Sequence, residues 1–219
     1  MSFFEPPAPR PAEPGWAAVP WHGPPDNAIG APVAVRLVLA RTDAAAVLVN
    51  GLTAFQAGFE LELAIRRRTY PPEHDHWASR MPLEMHRASA GELPDDLLRF
   101  GIEFSDGRKV TTLDSFPGPD APAGASADRP VLLPQGGGGD GRRWDQRYWV
   151  WPLPPPGPLA FVCEWPALGI EVTRLEIDAQ LVLDAAGRAE VLWPDEPRPP
   201  GAIGWTSRTI TARLDDEAT

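Results

Sequence analysis

The sequence predicts an all-β chain: a two-sheet antiparallel β-sandwich of immunoglobulin-like outline, with long loops and at most one or two short helices. Three observations carry that expectation. First, 28 prolines and 20 glycines in 219 residues interrupt helices and favour turns. Second, apolar and polar residues alternate with period two in several short runs, most cleanly in Phe59-Glu60-Leu61-Glu62-Leu63-Ala64-Ile65-Arg66, the pattern of a half-buried strand. Third, turn signals such as Ser105-Asp106-Gly107-Arg108 separate those runs at hairpin spacing. A partly open β-barrel is the alternative closure of the same strands.

Residues 1–32 read as a proline-rich arm, because nine prolines remove backbone donors and favour extended polyproline backbone. The arm also carries Phe3, Phe4, Trp16 and Trp21, aromatics that need cover. Trp16 to Pro25 is therefore expected to lie across the domain surface, with the first residues mobile.

The sandwich domain is expected over 33–193. Its first strand is Val33 to Ala40, with Val33, Val35, Leu37 and Leu39 on one face, and a turn at Arg41-Thr42-Asp43 leads to a second over Val47 to Phe55. In the third, Phe59, Leu61, Leu63 and Ile65 point inward and the charges mostly outward, which describes a sheet with one wet face. From Arg67 to Leu97 the alternation fails at Pro71-Pro72, at Glu73-His74-Asp75-His76 and at Leu93-Pro94-Asp95-Asp96. A long excursion follows, of the kind that is functional or disordered. Phe100 to Phe104 alternates again and turns into Lys109 to Leu113; Asp114 to Arg129 reads as a second exposed loop.

Val131 to Leu133 and Gln146 to Trp151 are expected strands on either side of a glycine-rich connection, and Leu159 to Trp165 follows a proline turn. Glu171 to Ile177 is another strand. Asp178 then N-caps a short helix over Ala179 to Ala186 stopped by Gly187, although the alternation Leu175, Ile177, Ala179, Leu181, Leu183 also allows the strand to continue. Ala189 to Trp193 is the last expected core strand. Residues 194–219 are a proline linker and a C-terminal edge strand, Trp205 to Leu214, or tail. There is no internal repeat.

The composition excludes several functions. A net charge of −10 repels phosphate backbones, so nucleic acid is not an expected partner. The single cysteine cannot form an intramolecular disulfide. No basic, then apolar leader opens the sequence and no run approaches the ~18 apolar residues of a membrane span, so a cytoplasmic location without membrane contact is expected. No Gly-x-Ser-x-Gly elbow occurs, and the glycine run Gly136 to Gly139 lacks the Gly-Lys-Ser/Thr ending and following helix of a phosphate loop. No cofactor is implied, and catalytic residues remain unassigned.

Three constellations remain. His74 and His76 would project on one side of an extended segment, and with a third ligand from His86 or a distant strand would offer a site to a zinc or iron ion; the helical metalloprotease spacing is absent, and no metal ligand is assigned. Cys163, in phase with Phe161 and Trp165, reads as a buried small hydrophobe. The third stretch holds Arg143, Trp144, Arg147, Trp149 and Trp151, the candidate binding residues. On a strand Arg147, Trp149 and Trp151 share one face, with Tyr148 and Val150 on the other. Either this face meets solvent as a tryptophan ledge able to stack on sugars, aromatic groups or a proline-rich partner, or the N-terminal arm covers it.

The expected function is a non-enzymatic β-sandwich interaction or assembly module that binds a protein partner or itself. A carbohydrate or small-molecule binding domain using the Trp/Arg face is the alternative. A metal-dependent enzyme centred on His74 and His76 is the third reading.

Overall fold

Alternation dictates where the strands run, and the computed structural model, which describes residues 20–70, 93–114 and 129–194, places them in antiparallel sheets packed together without barrel closure. The larger sheet is built around β4 (Ala45–Ala54) and β5 (Phe59–Arg67). Along the free side of β4 lie first β2 (Ala31–Val33), opposite residues 52–54, and then β3 (Leu37–Arg41), opposite residues 46–49. Beyond β5 come β9 (Arg143–Trp151) and β8 (Val131–Gly139). The second sheet runs β11 (Ile170–Asp178), β10 (Pro158–Trp165), β6 (Arg99–Glu103), β7 (Lys109–Thr111). A short ribbon pairs β1 (Ala28–Ile29) with β12 (Glu190–Val191).

The core lies where the inward faces meet. Phe59, Leu61, Leu63 and Ile65 of β5 are fully buried, and they join Val47 and Val49 of β4, Phe100 and Ile102 of β6, and Leu159, Phe161 and Cys163 of β10. Each such side chain contributes roughly 1.5–3 kcal/mol by leaving water. Tyr148 reaches from the larger sheet to Phe100 of the smaller, with ring centroids 6.3 Å apart, and its burial raises the phenol pKa.

Cys163 is buried, and that burial pushes its thiol up to about 11. Native protein at pH 8 is therefore expected to leave an aromatic disulfide reagent unconsumed, with one thiol titrating only after denaturant is added; rapid labelling of the folded chain would contradict this placement.

The ends of the sandwich are closed by local chemistry. Thr42 Oγ1 donates to Leu168 O at 3.0 Å, tying the β3–β4 turn to the 3-10 turn Pro166–Leu168 of the other sheet. At the opposite end α1 (Gln180–Ala186) follows β11, with Asp178 Oδ1 accepting from the Gln180 N–H at 2.9 Å. The helix buries Val182, Ala185 and Ala186 and packs against β2 and β4. Helix therefore prevails over strand continuation here. Pro152 to Gly157 is the crossover from β9 in one sheet to β10 in the other.

Four expectations are corrected. The glycine run is the second half of β8, not a flexible connection. Val33 to Ala40 is two strands, because Val35 N–H turns back to Val33 O at 2.7 Å and breaks the ladder. The arm is not free of sheet: Ala28–Ile29 and Ala31–Val33 are paired strands. Ala189 to Trp193 is no core strand, since only Glu190–Val191 pair and Trp193 is 57% exposed. Glu73 to His76, His86, most of the loop after Asp114 and the C-terminal strand over Trp205 to Leu214 lie outside the described residues. Among the described residues no helix is long and apolar enough to cross a membrane.

Candidate functional site

β9 sorts the five candidate residues by simple alternation. Trp144 faces the sandwich core with Gln146, Tyr148 and Val150; Arg143, Arg147, Trp149 and Trp151 face outward. Of these four, the two arginines are exposed, Trp151 is half-buried and Trp149 is 0% exposed. Of the two alternatives for this face, Trp149 takes the second, because its ring has a cover.

That cover is the described end of the proline-rich arm. Trp149 Nε1 donates to Pro20 O at 3.0 Å, and Gln135 Nε2 from β8 donates to His22 O at 3.0 Å. Trp21, between those two carbonyls, is 2% exposed. Trp149 also meets the Phe55 ring edge-on at 5.7 Å and lies against Gly58, where an added Cβ would stand 2.8 Å from its Cζ2 and 2.4 Å from Val150 O. Trp21, Phe55, Trp149 and Val131 are buried yet lie outside the core between the sheets. They form a second apolar layer on the outer face.

Beyond this layer, β8 becomes bare. Its glycines divide into two kinds. Gly137 faces inward, where a Cβ would stand 2.4 Å from Gln146 Oε1, and Gly139 would bring one to 1.9 Å from Arg143 O. The room at Gly137 is used by the buried Gln146 amide, whose Nε2 donates to Gly136 O at 3.1 Å and Arg147 O at 2.9 Å. These bonds brace the bulge between Pro134 and Gly136. Gly136 and Gly138 are different. Among the described residues, a Cβ on Gly138 would have nothing within 4 Å, and one on Gly136 would meet only Arg147 Nη2, at 3.8 Å.

Charges flank the bare strip. Asp145, opposite Gly138, accepts from Arg143 Nε at 2.6 Å through Oδ2, and its Oδ1 lies 2.7 Å from Arg66 Nη1 as an ion pair without hydrogen-bond alignment. Pairs this exposed contribute about 0–1 kcal/mol, so they orient the arginines more than they stabilise the sheet. Glu60, half-buried, has its pKa raised by burial, against the pull of Arg147.

The turn that returns β8 to β9 depends on Asp140, whose Oδ1 accepts from the N–H groups of Arg142 at 2.7 Å and Arg143 at 3.0 Å. Those bonds, Arg142's first, hold its carboxyl below the ordinary value of 3.8. A depressed folded pKa means the turn's stabilisation is complete above that ordinary value and fades as pH falls through the lowered one. The Arg142 and Arg143 amide resonances should follow this titration in acid and lose it in Asp140→Asn.

Sequence reasoning located β9 and its phase. It offered the arm, Trp16 to Pro25, as a cover because the arm's tryptophans had no sheet of their own. It missed Gln135, Phe55 and Gly58, which hold the arm and the Trp149 ring in place. No family model, curated protein or solved structure matches the chain, so function is read from this geometry.

Proposed function

We propose that the protein is a non-enzymatic β-sandwich interaction module that accepts an extended segment of a protein partner, a second copy included, as an added strand on the free edge of β8. The observation that carries this reading is the pair Gly136 and Gly138. Gly137 and Gly139 answer to close contacts inside the fold; among the described residues the other two do not. A strand glycine costs roughly 0.5–1 kcal/mol relative to alanine; Gly136 borders the bulge, but at Gly138, where no described residue asks for a glycine, close approach of another backbone is a physical use.

The other edges support the same choice. Free edges are templates for strand addition unless they are short, charged or broken. β7 has three residues; β11 carries Glu171, Arg174, Glu176 and Asp178; β2 and β3 are interrupted and include Pro32. β8 has nine residues, no charge and one proline, and among the described residues pairs only with β9. The strand order also fits: β4-β5-β9-β8 against β11-β10-β6-β7 matches the A-B-E-D and G-F-C-C′ sheets of an immunoglobulin-like sandwich, with β2 and β3 as an extra edge.

The test separates folding from association at one position. Gly138→Ala is expected to leave stability unchanged or raise it by about 0.4–1 kcal/mol, since its backbone is not in the left-handed region. Gly138→Lys should fold equally well and lose association. A marked fall in melting temperature for Gly138→Ala would show that the fold itself needs this glycine and would overturn strand addition as its use.

A further inference from the structure

The seat over Trp149 is filled by the chain's own arm, and filled imperfectly. Trp149 Nε1 and Gln135 Nε2 donate to the carbonyls of Pro20 and His22. This face therefore reads a bent, proline-flanked backbone through its acceptors, the groups such a segment keeps where proline removes its donors. Between the two carbonyls Trp21 is the buried anchor. Its indole N–H is itself buried and has no hydrogen-bond partner among the described residues. An unpaired buried donor penalises the closed state. A segment with phenylalanine at the anchor would keep both carbonyl contacts and strand no donor.

We propose that this outer face is a recognition site for a proline-flanked aromatic segment of a partner protein, of the pattern Pro-Phe-x-Gly-Pro-Pro, and that residues 20–25 occupy it in cis as a replaceable cover. The site lies on the face of the sheet, not along the edge of β8, so it stands independently of strand addition there. The arm's tethered position gives it a high effective concentration, and a competitor in trans binds only to the fraction of molecules whose seat is open.

The experiment uses the full-length chain and a synthetic peptide of residues 20–27 carrying Trp21→Phe, with binding followed by titration calorimetry. The peptide should bind full-length Trp21→Ala, whose seat is vacated, roughly ten-fold or more tightly than wild type. Adding Trp149→Phe to that variant removes the donor and should weaken binding again. Gly138→Lys should leave peptide binding unchanged, so failure at the seat and failure at the edge are distinguishable. A folded Trp21→Ala chain that takes no peptide overturns the proposal. Should Trp21→Ala not fold, hydrogen exchange in the wild-type chain decides. Exchange of the Trp149 indole proton faster than the Leu63 amide supports release of the cover, and exchange as slow as that amide overturns it.

Discussion

Replacing Trp149 by alanine is expected to cost about 3–5 kcal/mol of stability, the range for deleting a buried aromatic side chain. The ring is fully buried, packed on Phe55 and Gly58, and its indole N–H holds Pro20 O; alanine leaves a void, an unpaired carbonyl and an arm without its anchor. For a domain of this size that loss corresponds to a fall in melting temperature of roughly 6–20 °C. Trp151→Ala, two residues along the same face and half-buried, should fall by much less. Thermal unfolding of the pair checks the assignment: equal, small effects would return Trp149 to the surface and reinstate a ledge for sugars or small molecules.

The second large effect is expected at Gly139. A Cβ there would stand 1.9 Å from Arg143 O and 2.7 Å from Arg143 C and Trp144 Cα. All three are backbone atoms, so no rotamer change relieves the clash and the hairpin itself must move. Gly139→Ala should therefore lose at least the ~1–3 kcal/mol of ordinary overpacking, read as a lower urea midpoint at unchanged slope. Gly137→Ala should also destabilise, with part of the strain taken up by the Gln146 amide. Against these, Gly138→Ala is neutral or stabilising. That alternation along four consecutive glycines is the signature of a paired strand, and a flexible loop would tolerate all three substitutions alike.

The same glycines show what sequence can and cannot convey. Strand β5 was legible because Phe59, Leu61, Leu63 and Ile65 carry the pattern in their own side chains, and α1 was legible because Asp178 and Gly187 bracket it. A glycine strand carries no side-chain period. Its conformation comes from the ladder to Trp144 through Trp151 and from the bulge that Gln146 braces, both contacts with another strand. Trp149 and Trp151 fall on the same face by alternation, as expected, and nothing in the sequence distinguishes them. The difference is set by the arm, more than a hundred positions away, whose Pro20 carbonyl accepts from Trp149 and whose His22 carbonyl accepts from Gln135. The exposed end at Trp193 misled for a related reason: apolar residues after a short β12 look like core until the two-residue ribbon with β1 leaves them outside.

Association through β8 is tested most directly by light scattering after size exclusion, together with recovery of bound protein from native lysate, on wild type and Gly138→Lys in parallel. Wild type is expected to associate, with itself or with a recovered protein, and the lysine variant to remain folded and alone. A wild-type chain that is strictly monomeric and recovers nothing, or a lysine variant that associates as well as wild type, would contradict docking at this edge.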